Sequence, residues 1–125
     1  MTGYAANIEE LTLKNSYFRQ VLFTGKYCQL VLMNLKPQEE IGMEVHPNVD
    51  QFFRFESGEG KVIIAGEEYS VKNGEAVIVP AGSQHNVINI SQTEDLKLYT
   101  IYSPPNHPDG TIHKTKEDAM KAEEH

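Results

Sequence analysis

GEAVIVPAGSQHNVIN, residues 74–89, is where the chain declares its architecture. Ala76 to Val79 make a short, buried-looking run of strand formers, Pro80-Ala81-Gly82 turns the chain, and His85 opens a returning strand. Successive strand side chains point to opposite faces, so Val87 and Asn89 share the face of His85. A strand, a tight turn and an imidazole at the head of the returning strand predict a hairpin that carries one polar group towards an apolar interior.

The same pattern repeats on both sides of this hairpin. Short runs rich in β-branched and aromatic residues alternate with Gly, Pro, Asn and Ser, and the spacing predicts strands over 17–24, 27–35, 40–46, 50–57, 60–65, 67–72, 76–79, 84–91 and 95–103. Turns are expected at Thr24-Gly25, Glu59-Gly60, Ala65-Gly66 and Asn73-Gly74. Pro37 closes the strand ending at Leu35, because proline cannot donate to a central ladder. Helical signals are confined to the two ends. Asn7 caps a turn over 7–14, with Glu10 three residues on and Ile8 and Leu11 on one face. After the Pro-rich loop SPPNHPDG, Thr115 with Asp118 opens a short helix running to about Glu123. The chain reads as all-β, an antiparallel barrel over 17–103 with short N- and C-terminal helices, in a single domain covering 1–125.

A second informative stretch is EVHPNVDQ, residues 44–51. Glu44 and His46 are two apart on an expected strand and therefore face the same side. Gln51 opens the next strand with Phe53 and Phe55 on its face, which places an amide at one end of an aromatic-lined interior. If the two hairpins pack together, the His85 imidazole reaches that interior too.

These stretches resemble the paired motifs of the cupin superfamily, and the chain is similar to its small, single-domain, metal-binding members. The second motif, G-x5-P-x-G-x2-H-x3-N, is matched at every fixed position by Gly74, Pro80, Gly82, His85 and Asn89. The first, G-x5-H-x-H-x4-E-x6-G, is matched in spacing with three changes: Gln38, Glu44 and Gln51 stand where the family has Gly, His and Glu, while His46 and Gly58 are retained. The resemblance implies a jelly-roll barrel and one divalent metal ion held by Glu44, His46, Gln51 and His85. The changes compensate in charge. Three neutral His and one Glu carry one negative charge, as do Glu44, Gln51 and two neutral His. Two imidazole nitrogens with two oxygens suit Zn, Mn, Fe, Co or Ni rather than a thiolate-seeking ion.

Other residues admit a chemical and a structural role. Tyr99 and Tyr102 lie on a late strand, where either phenol could reach a bound substrate; packing with an outward hydroxyl is the simpler role. His107 and His113 flank the Pro/Gly loop and could supply an acid or base if it folded over the barrel mouth, although tails of this composition favour solvent. Cys28 has no activating neighbour and reads as packing at the start of a strand. Arg54 falls on the face opposite Gln51, and Met33 and Met43 read as core or dimer packing rather than ligands.

Composition narrows the partners. A formal charge of −7 over 125 residues disfavours nucleic acid and anionic membrane, both of which need a basic footprint. The N-terminal MTGYAANIEEL lacks the pattern of a leader, and a cytoplasmic location is expected. The partner suggested instead is a small molecule, and the resemblance to barrels of this kind implies a possible homodimer. The resemblance also frames three functions, since one fold hosts many. The first is a metal-dependent, isomerase-like enzyme acting on a small oxygenated or sugar-like metabolite; its ligand composition is similar to that of phosphomannose isomerases, without a visible phosphate clamp. The second is an Fe(II)-dependent, dioxygenase-like enzyme using His46, His85 and Glu44 as a two-His-one-carboxylate set. The third is a non-catalytic module that binds a metal or small ligand.

Overall fold

A computed structural model describes residues 2–123; residues 1, 124 and 125 of the expected domain lie outside the described residues. The strands are β1 (Arg19–Thr24), β2 (Gln29–Leu35), β3 (Asp50–Ser57), β4 (Glu59–Ile64), β5 (Glu67–Lys72), β6 (Ala76–Val79), β7 (His85–Asn89), β8 (Leu96–Ser103) and β9 (Ile112–His113), with helices α1 (Ile8–Lys14) and α2 (Lys116–Glu123) at the two ends. They form a six-stranded sheet in the order β6-β3-β8-β2-β1-β9 and a three-stranded sheet in the order β5-β4-β7, antiparallel throughout. This is the jelly-roll arrangement expected for the chain, and the period-two alternation explains its core. Val31, Met33 and Leu35 of β2, Phe53 and Phe55 of β3, Val62 of β4, Val87 of β7, and Leu96 and Leu98 of β8 are all buried between the sheets.

Both helices form where their caps predict. The Asn7 side chain accepts a hydrogen bond from the Glu10 amide at 3.0 Å, and Thr115 Oγ1 accepts one from the Asp118 amide at 3.0 Å. Most of α2 is solvated, but Ala119 is buried against the barrel.

Several sequence expectations fail for identifiable reasons. No continuous strand runs over 40–46; Glu40 and Glu44 make isolated bridges to Ile88 and His85. Gly42, at φ +107°, breaks the segment between them, and its amide binds the Asn86 side chain instead of a strand. The turn expected at Glu59-Gly60 is made by Gly58 at φ +95°, while Gly60 lies inside β4 opposite Val71 and Asn89. Ala76–Val79 is the edge strand β6 rather than a buried one. Val79 is buried, whereas Ile78 is 65% exposed, because an apolar run does not reveal how many of its faces are covered. Cys28 is exposed in the turn before β2, so it does not pack in the core. Met33 is buried, and Met43 is exposed beside the kink at Gly42. The tail also contains a strand that its turn-rich composition conceals: β9 pairs with β1 through Arg19↔His113 and Gln20↔Ile112.

A candidate metal centre

The segment before β3 lies along the free edge of β7. The Glu44 amide donates to the His85 carbonyl at 2.8 Å and the His85 amide returns the bond to Glu44 at 2.9 Å, which makes them directly opposed cross-strand partners. Two residues on, the His46 carbonyl accepts from the Gly82 amide at 2.9 Å, so the Pro/Gly turn of the 74–89 hairpin clamps this segment in place. The outcome is a cluster. His46 Nε2 lies 3.4 Å from Glu44 Oε2, and the His46 and His85 ring centroids are 5.4 Å apart. Across the barrel, Gln51 of β3 pairs in register with Tyr102 of β8, and the His46 ring meets the Tyr102 ring edge-on at 5.9 Å.

Two of the side chains are oriented by fixed neighbours. His85 Nδ1 is 3.0 Å from the Ser83 carbonyl, which can only accept; Nδ1 therefore carries the proton and Nε2 presents a lone pair. Thr100 Oγ1 donates to the Phe52 carbonyl at 2.8 Å and accepts from Gln51 Nε2 at 3.0 Å. That pins the amide group and leaves Gln51 Oε1 buried with no hydrogen-bond partner among the described residues. An orphaned buried carbonyl on the strand position paired with Tyr102, which His46 meets edge-on, suits a hard or borderline divalent cation. Among the described residues no three His, Cys, Asp or Glu side chains converge as a finished metal centre, and the Glu44 carboxylate contacts His46. Burial acts to raise the Glu44 carboxyl. The His46 contact and the charges of His46, Arg19 and His85 outweigh it, and the group titrates below the usual carboxylate range.

The tail residues are docked. Gln29, fully buried on β2, donates to the His107 carbonyl at 2.8 Å and accepts from the Asn106 and His107 amides at 3.1 and 3.0 Å, so one side chain staples the loop across the barrel. Contrary to the expected solvent exposure, His107 is half-buried, its Nε2 3.2 Å from the Tyr102 hydroxyl, and His113 accepts from the Arg19 guanidinium. Tyr102 is buried beside the cluster, so its hydroxyl does not point outward. Tyr99 is on the outer face against Phe52, away from the site. Arg54 is also outside, its Nε 2.9 Å from Glu56. Burial pushes the Tyr102 phenol up to about 12 despite the nearby Arg19 charge. Burial and then the Arg19 charge bring His107 down to about 4. At neutral pH both groups are uncharged.

The His107 shift predicts a pH effect. The unfolded chain binds a proton here between the ordinary histidine pKa and about 4, whereas the folded chain does not, so this site's contribution to stability is lost as pH falls through that window. From about pH 7.5 to about pH 5 the wild type should lose roughly 1–2 kcal/mol more than His107→Gln, measured from urea midpoints. Equal losses would mean that His107 titrates normally.

Arg19, Gln29 and Thr100 were not singled out by sequence reasoning, although a signal was present. Each is in phase with inward apolar neighbours: Arg19 with Val21, Gln29 with Val31 and Met33, and Thr100 with Leu98 and Tyr102. A polar residue in phase with a buried face needs a partner.

Comparison with known proteins agrees with this architecture. Residues 31–102 match the family described as "Cupin domain". The chain is 49% identical to YrkC, an uncharacterized protein of Bacillus subtilis, over 97% of this chain and 68% of that protein. It is 47% identical to an uncharacterized protein of Acanthamoeba polyphaga mimivirus, over 87% of this chain and 70% of that one. Among solved structures, that of BH2720 from Bacillus halodurans superposes with a TM-score of 0.93 at 42% identity, covering 96% of this chain and 95% of the other. No helix among the described residues is long and apolar enough to cross a membrane.

Proposed function

We propose that this chain, which belongs to the cupin domain family, binds one divalent metal ion through Glu44, His46, Gln51 and His85 and acts as a metal-dependent enzyme on a small oxygenated metabolite. The observation that carries the reading is the buried, unpartnered Gln51 Oε1 on β3, at the position paired with Tyr102, whose ring meets His46 of the Glu44, His46 and His85 cluster. Once bound, such an ion supplies Lewis-acid polarisation of a carbonyl or hydroxyl. The protein's own groups do the rest. Ser83 and Thr100 hold the His85 lone pair and the Gln51 oxygen in place. Glu44, opposed to His85 across the strand pair and in contact with His46, would be the anionic ligand of such an ion. The Tyr102 phenol stays protonated at neutral pH and offers an O–H to the ligand, while Phe53, edge-on to His85, keeps the inner wall dry.

The test is elemental analysis of protein purified without added metal or affinity-tag nickel, beside His46→Ala and His85→Ala. Near-stoichiometric metal in the wild type and its loss in both variants are expected, since either change removes a nitrogen donor. Iron, accompanied by oxygen uptake, would direct the chemistry to an oxygenase; zinc or manganese would direct it to isomerase-like work. A wild type that holds no metal even after reconstitution overturns the metalloenzyme reading and leaves a ligand-binding barrel.

A further inference from the structure

The barrel interior contains a cation that the metal-centre reading does not use. Arg19, 3% exposed, projects inward from β1. One guanidinium nitrogen donates to His113 Nδ1 at 3.2 Å, and the Phe18 ring centroid lies 5.3 Å from the guanidinium carbon. The Tyr102 hydroxyl also lies in reach of the guanidinium, and none of these uncharged neighbours neutralises it. Arg19 Nε is buried without a hydrogen-bond partner, and no carboxylate forms an ion pair with the side chain, both among the described residues. A guanidinium does not deprotonate in a protein, so an unpaired one held out of water is costly unless something arrives to pair with it.

Two clefts open onto this group. One, of about 270 Å³, runs past Gly42 and Glu44 to α2; the other, of about 220 Å³, passes His107, Thr111 and His113. Arg19 is thus set between the metal-ligand candidate Glu44 and the docked tail, and its charge is felt at Glu44, Tyr102, His107 and His113.

We propose that Arg19 is the anion-recognition residue of this site and that the ligand it selects is a small organic acid, whose carboxylate pairs with the Arg19 guanidinium. A planar fork of donors matches a carboxylate, and the buried Nε is a donor that still lacks a partner. A carboxylate fits better than a phosphate dianion on charge. Arg19 is the buried cation on these two clefts, Lys116 is half-buried on the first, and Glu44 and Glu123 stand nearby to oppose a second negative charge. The inference deepens the metal-centre reading and rests on it only for where the acid's remaining oxygen atoms go, towards Glu44, His46, Gln51 and His85.

The experiment is calorimetric titration of the whole protein, metal-free and metal-loaded, with lactate, malonate, inorganic phosphate and the uncharged lactamide. Lactate or malonate should bind at least about tenfold more tightly than lactamide and phosphate. Arg19→Met, which keeps the apolar stem, should weaken the acids by about 10- to 100-fold while elemental analysis finds the metal content unchanged, and Arg19→Lys should recover part of the loss. His85→Ala separates the two readings. If metal proves absent but metal-free protein still prefers acid over amide through Arg19, the anion site stands and the metal reading falls. Equal affinity for lactate and lactamide, preference for phosphate, failure of both acids to bind, or full acid binding by a folded Arg19→Met overturns the proposal. Should Arg19→Met not fold, the contrast between acid and amide in the wild type decides alone.

Discussion

Alanine in place of Gly58 should destabilise the protein by about 3–5 kcal/mol, the sum of backbone strain and a clash that cannot relax. Gly58 sits at φ +95°, a region that L side chains rarely enter. A Cβ built there would run into the Asp95 carbonyl oxygen and lie 3.0 Å from Leu96 Cα, both backbone atoms. Neither can retreat readily. Leu96 is fully buried in the core, the Asp95 side chain accepts from Asn34, and the Glu94 carbonyl accepts from Asn89. Gly74→Ala is the control: its φ is +88°, yet nothing lies within 4 Å of its Cβ, so about 1 kcal/mol of strain is all it should cost. Urea unfolding of the pair checks the account, and similar small losses for both would show that the Gly58 contact is not tight.

Asn89→Asp should cost about 4 kcal/mol, and more than Asn89→Ala, although aspartate is the closer match in shape. Asn89 is 1% exposed, and its Nδ2 faces three carbonyls, those of Leu35 and Lys36 at 3.0 Å and of Glu94 at 2.9 Å, while Oδ1 accepts from the Ser91 amide at 2.9 Å. Two N–H groups shared among three acceptors hold the end of β2 against the loop before β8. Alanine strands those acceptors; an aspartate also turns a negative oxygen towards them in a buried site. The measurement is the order of unfolding midpoints at neutral pH. If Asp proved milder than Ala, shape rather than hydrogen bonding would be what this position requires. Asn89, at the fixed end of the second motif, thereby gains a structural explanation that asks nothing of it in the chemistry.

The metal-centre candidates were legible to different degrees. Glu44 and His46 share a side because two residues along an extended chain return to it, and their side chains meet although the segment is a pair of bridges and not a strand. Gln51 could be assigned to a buried face from its phase with Phe53 and Phe55. That its carbonyl oxygen rather than its amide nitrogen is left free depends on Thr100, 49 residues away. Tyr99 and Tyr102 are two phenols on one strand, and local pattern offers no means of choosing between them. They are three residues apart and so face opposite sides, and which side is inward depends on the sheet as a whole.

The sequence by itself determined the strand periodicity, the helix caps, most of the turns and the spacing of the two motifs. All of these follow from interactions within a few residues: alternation of side chains along a strand, a capping side chain and the backbone freedom of glycine. Only the tertiary structure decided that the tail returns to make β9 on β1, that Gln29 staples His107 over the barrel 78 residues later in the chain, and that Arg19 is closed in with no carboxylate partner among the described residues. Those outcomes join segments whose local patterns do not refer to one another. Which of them meet is set by the burial of the shared core and by the pairing of polar groups that the core would otherwise leave unsatisfied.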